Sequence, residues 1–165
     1  MTKKICIVGH YGVGKTSLVR RFVEKVFGDR YLTTVGLNIY KKELTVGEGP
    51  LTLTIWDLAG EDDLAPVKLS NLKGTSGYIL VVDGCRASTW ATAVDLQQRI
   101  TDMYGPLPFV LAVNKLDRVN EWEVQRSDVA AQGWTTFETS AKAGTCVEEM
   151  FLELSTKMLR EDPEE

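Results

Sequence analysis

The sequence predicts an α/β fold, a largely parallel sheet with helices on both faces, and three observations predict it. Strand-like and helix-like segments alternate along the chain. The strand-like runs 78–82 and 108–113 are apolar almost throughout, as strands buried on both faces are. Two further strand-like segments are joined by the short turn Gly47-Glu48-Gly49-Pro50, which makes a hairpin and hence one antiparallel pair. The chain has 165 residues, 44% apolar and 25% charged, enough for one domain with a sizeable core.

Taken in order, Ile5-Cys6-Ile7-Val8 marks a first strand over 4–9. Leu18, Val19, Phe22, Val23 and Val26 then recur at helical spacing and predict a helix over 15–26. After a polar stretch at 27–36 come the hairpin strands 37–46 and 51–57. A short helix is expected near 62–72, confined by Pro66 to its C-terminal piece. The strand 78–82, a helix over 88–103, the strand 108–113, a helix near 121–131 and a strand around 134–138 follow. A last helix over 146–160 places Val147, Met150, Phe151, Leu154 and Met158 on one face. Trp56, Trp90, Trp122 and Trp134 are expected as core or half-buried packing residues, and there is no internal repeat.

Several function classes are disfavoured. A net charge of −4 argues against a broad nucleic-acid footprint. No apolar run approaches the roughly 18 residues of a membrane span. Cys6, Cys85 and Cys146 are odd in number and widely spaced, which suits a reducing, cytoplasmic setting better than disulfides or a zinc site. There is no signal-peptide pattern, Thr2 stands where myristoylation needs glycine, and the tail Arg160-Glu161-Asp162-Pro163-Glu164-Glu165 has no prenylatable cysteine. A monomer without a lipid anchor is expected.

The chemistry is concentrated in a few motifs. Gly9-His10-Tyr11-Gly12-Val13-Gly14-Lys15-Thr16 lies between the first strand and the first helix, the setting a phosphate cradle requires. Its glycines let the backbone turn amides inward, Lys15 supplies a point charge, and Thr16 offers a hydroxyl to Mg²⁺. The helix N-terminus adds its partial positive charge. Gly9, Tyr11, Gly12, Val13, Gly14, Lys15, Thr16 and Ser17 are the candidate phosphate-end contacts. Asp57 ends a strand and can reach the metal through water, while Gly60, three residues on, can present an amide to a γ-phosphate. Asp83 also ends an apolar strand, but without that glycine it is better read as capping the next helix.

Base choice is assigned to Asn114-Lys115-Leu116-Asp117, at the carboxyl end of the 108–113 strand. Guanine presents N1–H and a 2-amino group side by side, and an ionised Asp117 can accept from both, whereas adenine has no 2-amino group. In Glu138-Thr139-Ser140-Ala141-Lys142, the Ala141 amide can donate to the guanine 6-oxo group and Ser140 can orient Asp117. Asn114, Lys115, Asp117, Ser140, Ala141 and Lys142 are the base-end candidates. His10, the only histidine, has no acid or nucleophile beside it in sequence and is not assigned a catalytic role.

These motifs, with Thr34-Val35-Gly36, stand in the order and spacing of Ras-like small GTPases, and the chain resembles that family over nearly its whole length. Thr34-Val35-Gly36 and the 138–142 segment look most like Rab proteins, while the tail without a cysteine also suits unlipidated prokaryotic Ras-like proteins. The resemblance implies a P-loop NTPase fold with a six-stranded, mainly parallel sheet and one antiparallel strand. It also implies GTP/GDP and Mg²⁺ as ligands, and effector and regulator proteins as partners of switch segments 28–38 and 57–72.

It further implies Phe27 as a ring against guanine and Tyr31 as a lid over the phosphates; read alone, Phe27 simply ends the first helix. Thr34 is expected to ligate Mg²⁺ and sense the γ-phosphate, with Thr33 as an alternative one register away. Lys15, Thr34, Gly60 and Glu61 are the catalytic candidates, and Thr16, Thr34 and Asp57 those for the metal.

Two departures from the family bear on rate. Glu61 replaces the usual glutamine, so a carboxylate that only accepts stands near a γ-phosphate gaining charge, and intrinsic hydrolysis is expected to be slow. Tyr11 replaces a small residue; its ring either crowds the route of an activator's arginine or folds outward over the surface. Arg30 is read as a solvated loop charge rather than an arginine acting in cis. The alternatives are a module that signals by nucleotide occupancy with negligible hydrolysis, and, less favoured for want of an acceptor-binding lid, a phosphoryl-transferring kinase.

Overall fold

The computed structural model describes residues 1–25, 36–60 and 66–161. Its elements are β1 (Thr2–Gly9), α1 (Lys15–Glu24), β2 (Asn38–Val46), β3 (Gly49–Asp57), a 3₁₀ turn (Leu69–Leu72), β4 (Gly77–Asp83), α2 (Ala87–Tyr104), β5 (Phe109–Asn114), a second 3₁₀ segment (Leu116–Glu121), α3 (Arg126–Ala131), β6 (Thr136–Glu138) and α4 (Val147–Glu161). The strands form one six-stranded sheet in the order β2-β3-β1-β4-β5-β6. Only β2 runs antiparallel, paired to β3 from Asn38 opposite Asp57 to Val46 opposite Gly49. Gly47, at φ 62°, makes the tight turn between them.

The alternation of β1 divides the core. Ile5 and Ile7 point to the face covered by α1 and α4, where Leu18, Val19, Phe22 and Phe151 pack. Cys6 and Val8 point to the other face, against Leu96 and Ile100 of α2. Phe22 and Phe151 stack with ring centroids 4.0 Å apart, joining the first helix to the last. β1 lies between β3 and β4, where the chain's progress across the sheet reverses, so the loop leaving β1 opens at the crevice where such sheets bind ligands.

Two expected helices are altered. Near 62–72, residues 61–65 lie outside the described residues, and the remainder holds one 3₁₀ turn, with Pro66 unable to supply a helical N–H. The helix near 121–131 begins only at Arg126. Before it Trp122 is extended, its indole Nε1 donating to the Lys115 carbonyl at 2.9 Å, and the Glu123 and Val124 amides donate to Gly84 O. A Cβ on Gly84 would overlap that indole, so the ring lies directly on the backbone after β4. The first helix ends at Glu24, with Lys25 left-handed at φ 55°. The four tryptophans are half-buried, as the sequence suggested.

Candidate functional site

The loop leaving β1 wraps the start of α1. Gly12 and Gly14 take φ values of 77° and 99°, which a side chain would strain. Lys15, Thr16 and Ser17 are nearly fully buried in the helix's first turn, which contains no acidic residue to balance its amides. Three buried polar residues at a helix N-terminus with no acid in its first turn are suited to an anion.

Lys15 Nζ donates to the His10 carbonyl at 3.1 Å. Burial pushes its ammonium down to about 8, with Asp57 pulling the other way and Arg86 adding to the depression. Thr16 Oγ1 donates to Asp57 Oδ2 at 2.6 Å, joining the helix to the end of β3. Gly60 closes against the loop: a Cβ there would stand 2.6 Å from Tyr11 N and 2.7 Å from Lys15 Nζ. The approach is between backbones, so glycine is required.

Three successive loop carbonyls are held from outside. Tyr11 O accepts from Arg86 Nη2 at 2.6 Å, Gly12 O from Lys115 Nζ at 3.2 Å, and Val13 O from Asn114 Nδ2 at 3.0 Å. Asp83, 1% exposed at the end of β4, accepts from Lys115 Nζ at 2.8 Å, from Arg86 Nε at 3.1 Å and from the Cys85 amide at 2.9 Å. Asp83 therefore organises two cations; the N-cap position of α2 is held by Arg86, whose side chain makes no cap hydrogen bond.

The base end is built from the loops after β5 and β6. Lys115 is left-handed at φ 72°, which turns the chain so that Asp117 follows at the start of the 3₁₀ segment. Ser140 Oγ donates to Asp117 Oδ1 at 2.7 Å and accepts from the Ala143 amide at 2.9 Å. Thr139 Oγ1 donates to Asn114 Oδ1 at 3.1 Å, fixing which end of that amide faces Val13 O. The Ser140 carbonyl accepts from the Gly144 amide at 2.8 Å, and in a trans peptide the Ala141 N–H then points the opposite way. Arg21 of α1 donates to the carbonyls of both Ala141, at 2.7 Å, and Lys142.

Lys15, Thr16, Asp57 and Gly60 thus meet at one end of the crevice, and Asn114, Lys115, Asp117, Ser140, Ala141 and Lys142 at the other, bridged by Asn114. Tyr11 is 44% exposed. Phe27, Arg30, Tyr31, Thr33, Thr34 and Glu61 lie outside the described residues. Arg86, Arg21 and Thr139 carry no role in the sequence reading and Trp122 only a packing one, yet each holds a residue assigned to the site.

The described donors fit Mg²⁺, which takes hard oxygen ligands and is commonly held by one or two carboxylates together with substrate phosphates. A hydroxyl and a carboxylate oxygen 2.6 Å apart beside a helix end suited to an anion are such a set. Among the described residues no group of three or more His, Cys, Asp or Glu could form an all-protein metal cage. Nor is any described helix long and apolar enough to cross a membrane.

The sequence matches the Ras family over residues 4–160. It is similar to Ras-related protein Rab7A of Mesembryanthemum crystallinum, 33% identical over 98% of this chain and 84% of that protein. Ras-related protein RABG3e of Arabidopsis thaliana and GTP-binding protein YPTC5 of Chlamydomonas reinhardtii are each 31% identical over the same shares.

Proposed function

The chain belongs to the Ras family of small GTPases, GTP-binding switches, and from that premise we propose that its residues 1–165 form one nucleotide-binding domain that hydrolyses GTP to GDP and phosphate slowly unless an activator intervenes. The observation that carries the reading is Asn114, whose side chain ties the base-end loop to the phosphate loop at 3.0 Å from Val13 O. One side chain thereby fixes the spacing between a carboxylate suited to guanine and a cradle suited to phosphates.

In this reading the amides of the 9–14 loop and of the first turn of α1 grip the phosphate chain, and Lys15 neutralises its terminal oxygens. Asp117 accepts from guanine N1–H and the 2-amino group while Ser140 fixes its orientation. Thr16, Thr34 and Asp57 hold Mg²⁺, which when bound neutralises phosphate charge. Gly60 offers its amide to the γ-phosphate. Phe27 covers the base, Tyr31 the phosphates, and segments 28–38 and 57–72 present the nucleotide state to effectors and regulators.

The low rate is attributed to Glu61. A carboxylate beside the γ-phosphate adds negative charge where catalysis needs charge stabilisation, and it cannot donate as a glutamine can. Single-turnover phosphate release from bound GTP should therefore rise in Glu61→Gln; an unchanged or lower rate counts against the assignment. The wider test is equilibrium binding with Mg²⁺, in which GTP and GDP should bind far more tightly than ATP. If GTP binds but release stays negligible even in cell extract, the chain is an occupancy-signalling module instead.

A further inference from the structure

Of the three side chains that hold the phosphate loop from outside, Asn114 and Lys115 belong to the base motif and Arg86 belongs to none. We propose that Arg86 is a positioning residue for phosphate binding, which holds the Tyr11 carbonyl outward and so aims the Gly12 N–H into the cradle. The inference rests on the reading of this loop as the nucleotide site.

The step from carbonyl to amide is covalent geometry. A trans peptide sets its C=O and N–H antiparallel, so fixing the Tyr11 oxygen fixes the Gly12 hydrogen. Lys115 on Gly12 O and Asn114 on Val13 O fix the Val13 and Gly14 amides in the same way. Without Arg86 the first of three consecutive amides would lack an anchor on the sheet. His10 Nδ1 lies 2.9 Å from the Tyr11 carbonyl as well, but it belongs to the loop itself and cannot fix the loop against the sheet.

The Tyr11–Gly12 peptide needs such an anchor. Gly12, at φ 77°, has no Cβ to resist rotation, so the peptide can flip and turn an oxygen toward the phosphates. The guanidinium lies in the space a Cβ would enter, with Arg86 Nη2 3.2 Å from that position. Arg86 is itself held firmly: its amide donates to Asp83 O at 3.0 Å, and its carbonyl accepts from Thr89 Oγ1 at 2.8 Å. Its Nε donates to Asp83 Oδ2 at 3.1 Å while Nη2 reaches Tyr11 O at 2.6 Å. Two donors fixed in one plane span carboxylate and carbonyl together, which a lysine ammonium cannot do in the same geometry.

The test compares wild type, Arg86→Ala, Arg86→Gln, Arg86→Lys and, on the same helix but remote from the loop, Arg99→Ala. Each is loaded with a fluorescent GDP analogue and Mg²⁺. Release should be about tenfold faster in Arg86→Ala and Arg86→Gln, as for loss of a charge-assisted hydrogen bond. It should be only partly restored in Arg86→Lys and unchanged in Arg99→Ala. The Gly12 amide resonance of the GDP-bound protein should move in the first two variants, while the unfolding midpoint of nucleotide-free protein stays within about 2 °C of wild type. Wild-type binding of GDP with release from both variants within about twofold of wild type, or a stationary Gly12 resonance, overturns the inference alone. Failure of wild type to bind GDP with Mg²⁺ overturns the nucleotide-site reading beneath it.

Discussion

At position 117 the carboxylate proposed to select the base would do so by what it cannot do: it accepts and never donates. Ser140 Oγ, donating at 2.7 Å, fixes one oxygen and leaves the group acceptor-only toward the base. Asp117→Asn would set an NH₂ donor against the 2-amino donor of guanine, but would suit xanthine, which carries a 2-oxo acceptor there. GTP affinity should fall about a hundredfold, two charged hydrogen bonds being at stake, and XTP should become the better competitor for the site. A variant that still prefers GTP would move base recognition elsewhere. Asp117, Lys15 and Asp57 are candidates from sequence because motif spacing singles them out without a fold, and the fold sets Asp57 against Thr16 and Asp117 against Ser140. Arg86 and Arg21 are not, because their acceptors are backbone carbonyls 75 and 120 residues away in the chain. Such an arginine reads as an ordinary surface charge until the sheet brings the loops together.

Elements set the precision of that meeting. The runs 78–82 and 108–113 announce their strands because a parallel strand covered on both faces must be apolar throughout, and β4 and β5 are buried almost end to end. The expected helix near 121–131 loses its first half to one indole, a tertiary preference that no local pattern encodes. Trp122 lies on Gly84 and donates to Lys115 O at 2.9 Å, so the connection into α3 braces the left-handed residue that presents Asp117. Trp122→Phe keeps an aromatic ring at this position but removes the donor and part of the ring area over Gly84. It should lower the unfolding free energy by about 1 kcal/mol, read as a lower urea midpoint, and speed GDP release a few-fold. Equal release rates with an unchanged midpoint would mean that the Lys115 backbone holds without it.

For the whole molecule, the site is a property of the sheet: β1, β3, β4 and β5 each end in a residue or loop that contributes to it, and α1 and α4 meet behind it through Phe22 and Phe151. A ligand gripping those ends links elements from both halves of the chain, so its binding energy appears in global unfolding rather than in one loop. With ligand at a thousand times its dissociation constant, linkage adds about 4 kcal/mol. For a chain of this size each kcal/mol raises the midpoint by about 2–4 °C, so GDP with Mg²⁺ should raise it by about 8–16 °C. ATP at the same concentration should change it by less than about 2 °C, and EDTA should withdraw part of the GDP effect. If the chain is one domain, far-ultraviolet circular dichroism and tryptophan fluorescence should move in one coincident transition, although all four half-buried tryptophans pack against the core on the α2 side of the sheet. Two separated transitions, only one of them moved by GDP, would divide the chain into independent units; an equal rise with ATP would remove guanine recognition while leaving the phosphate cradle standing.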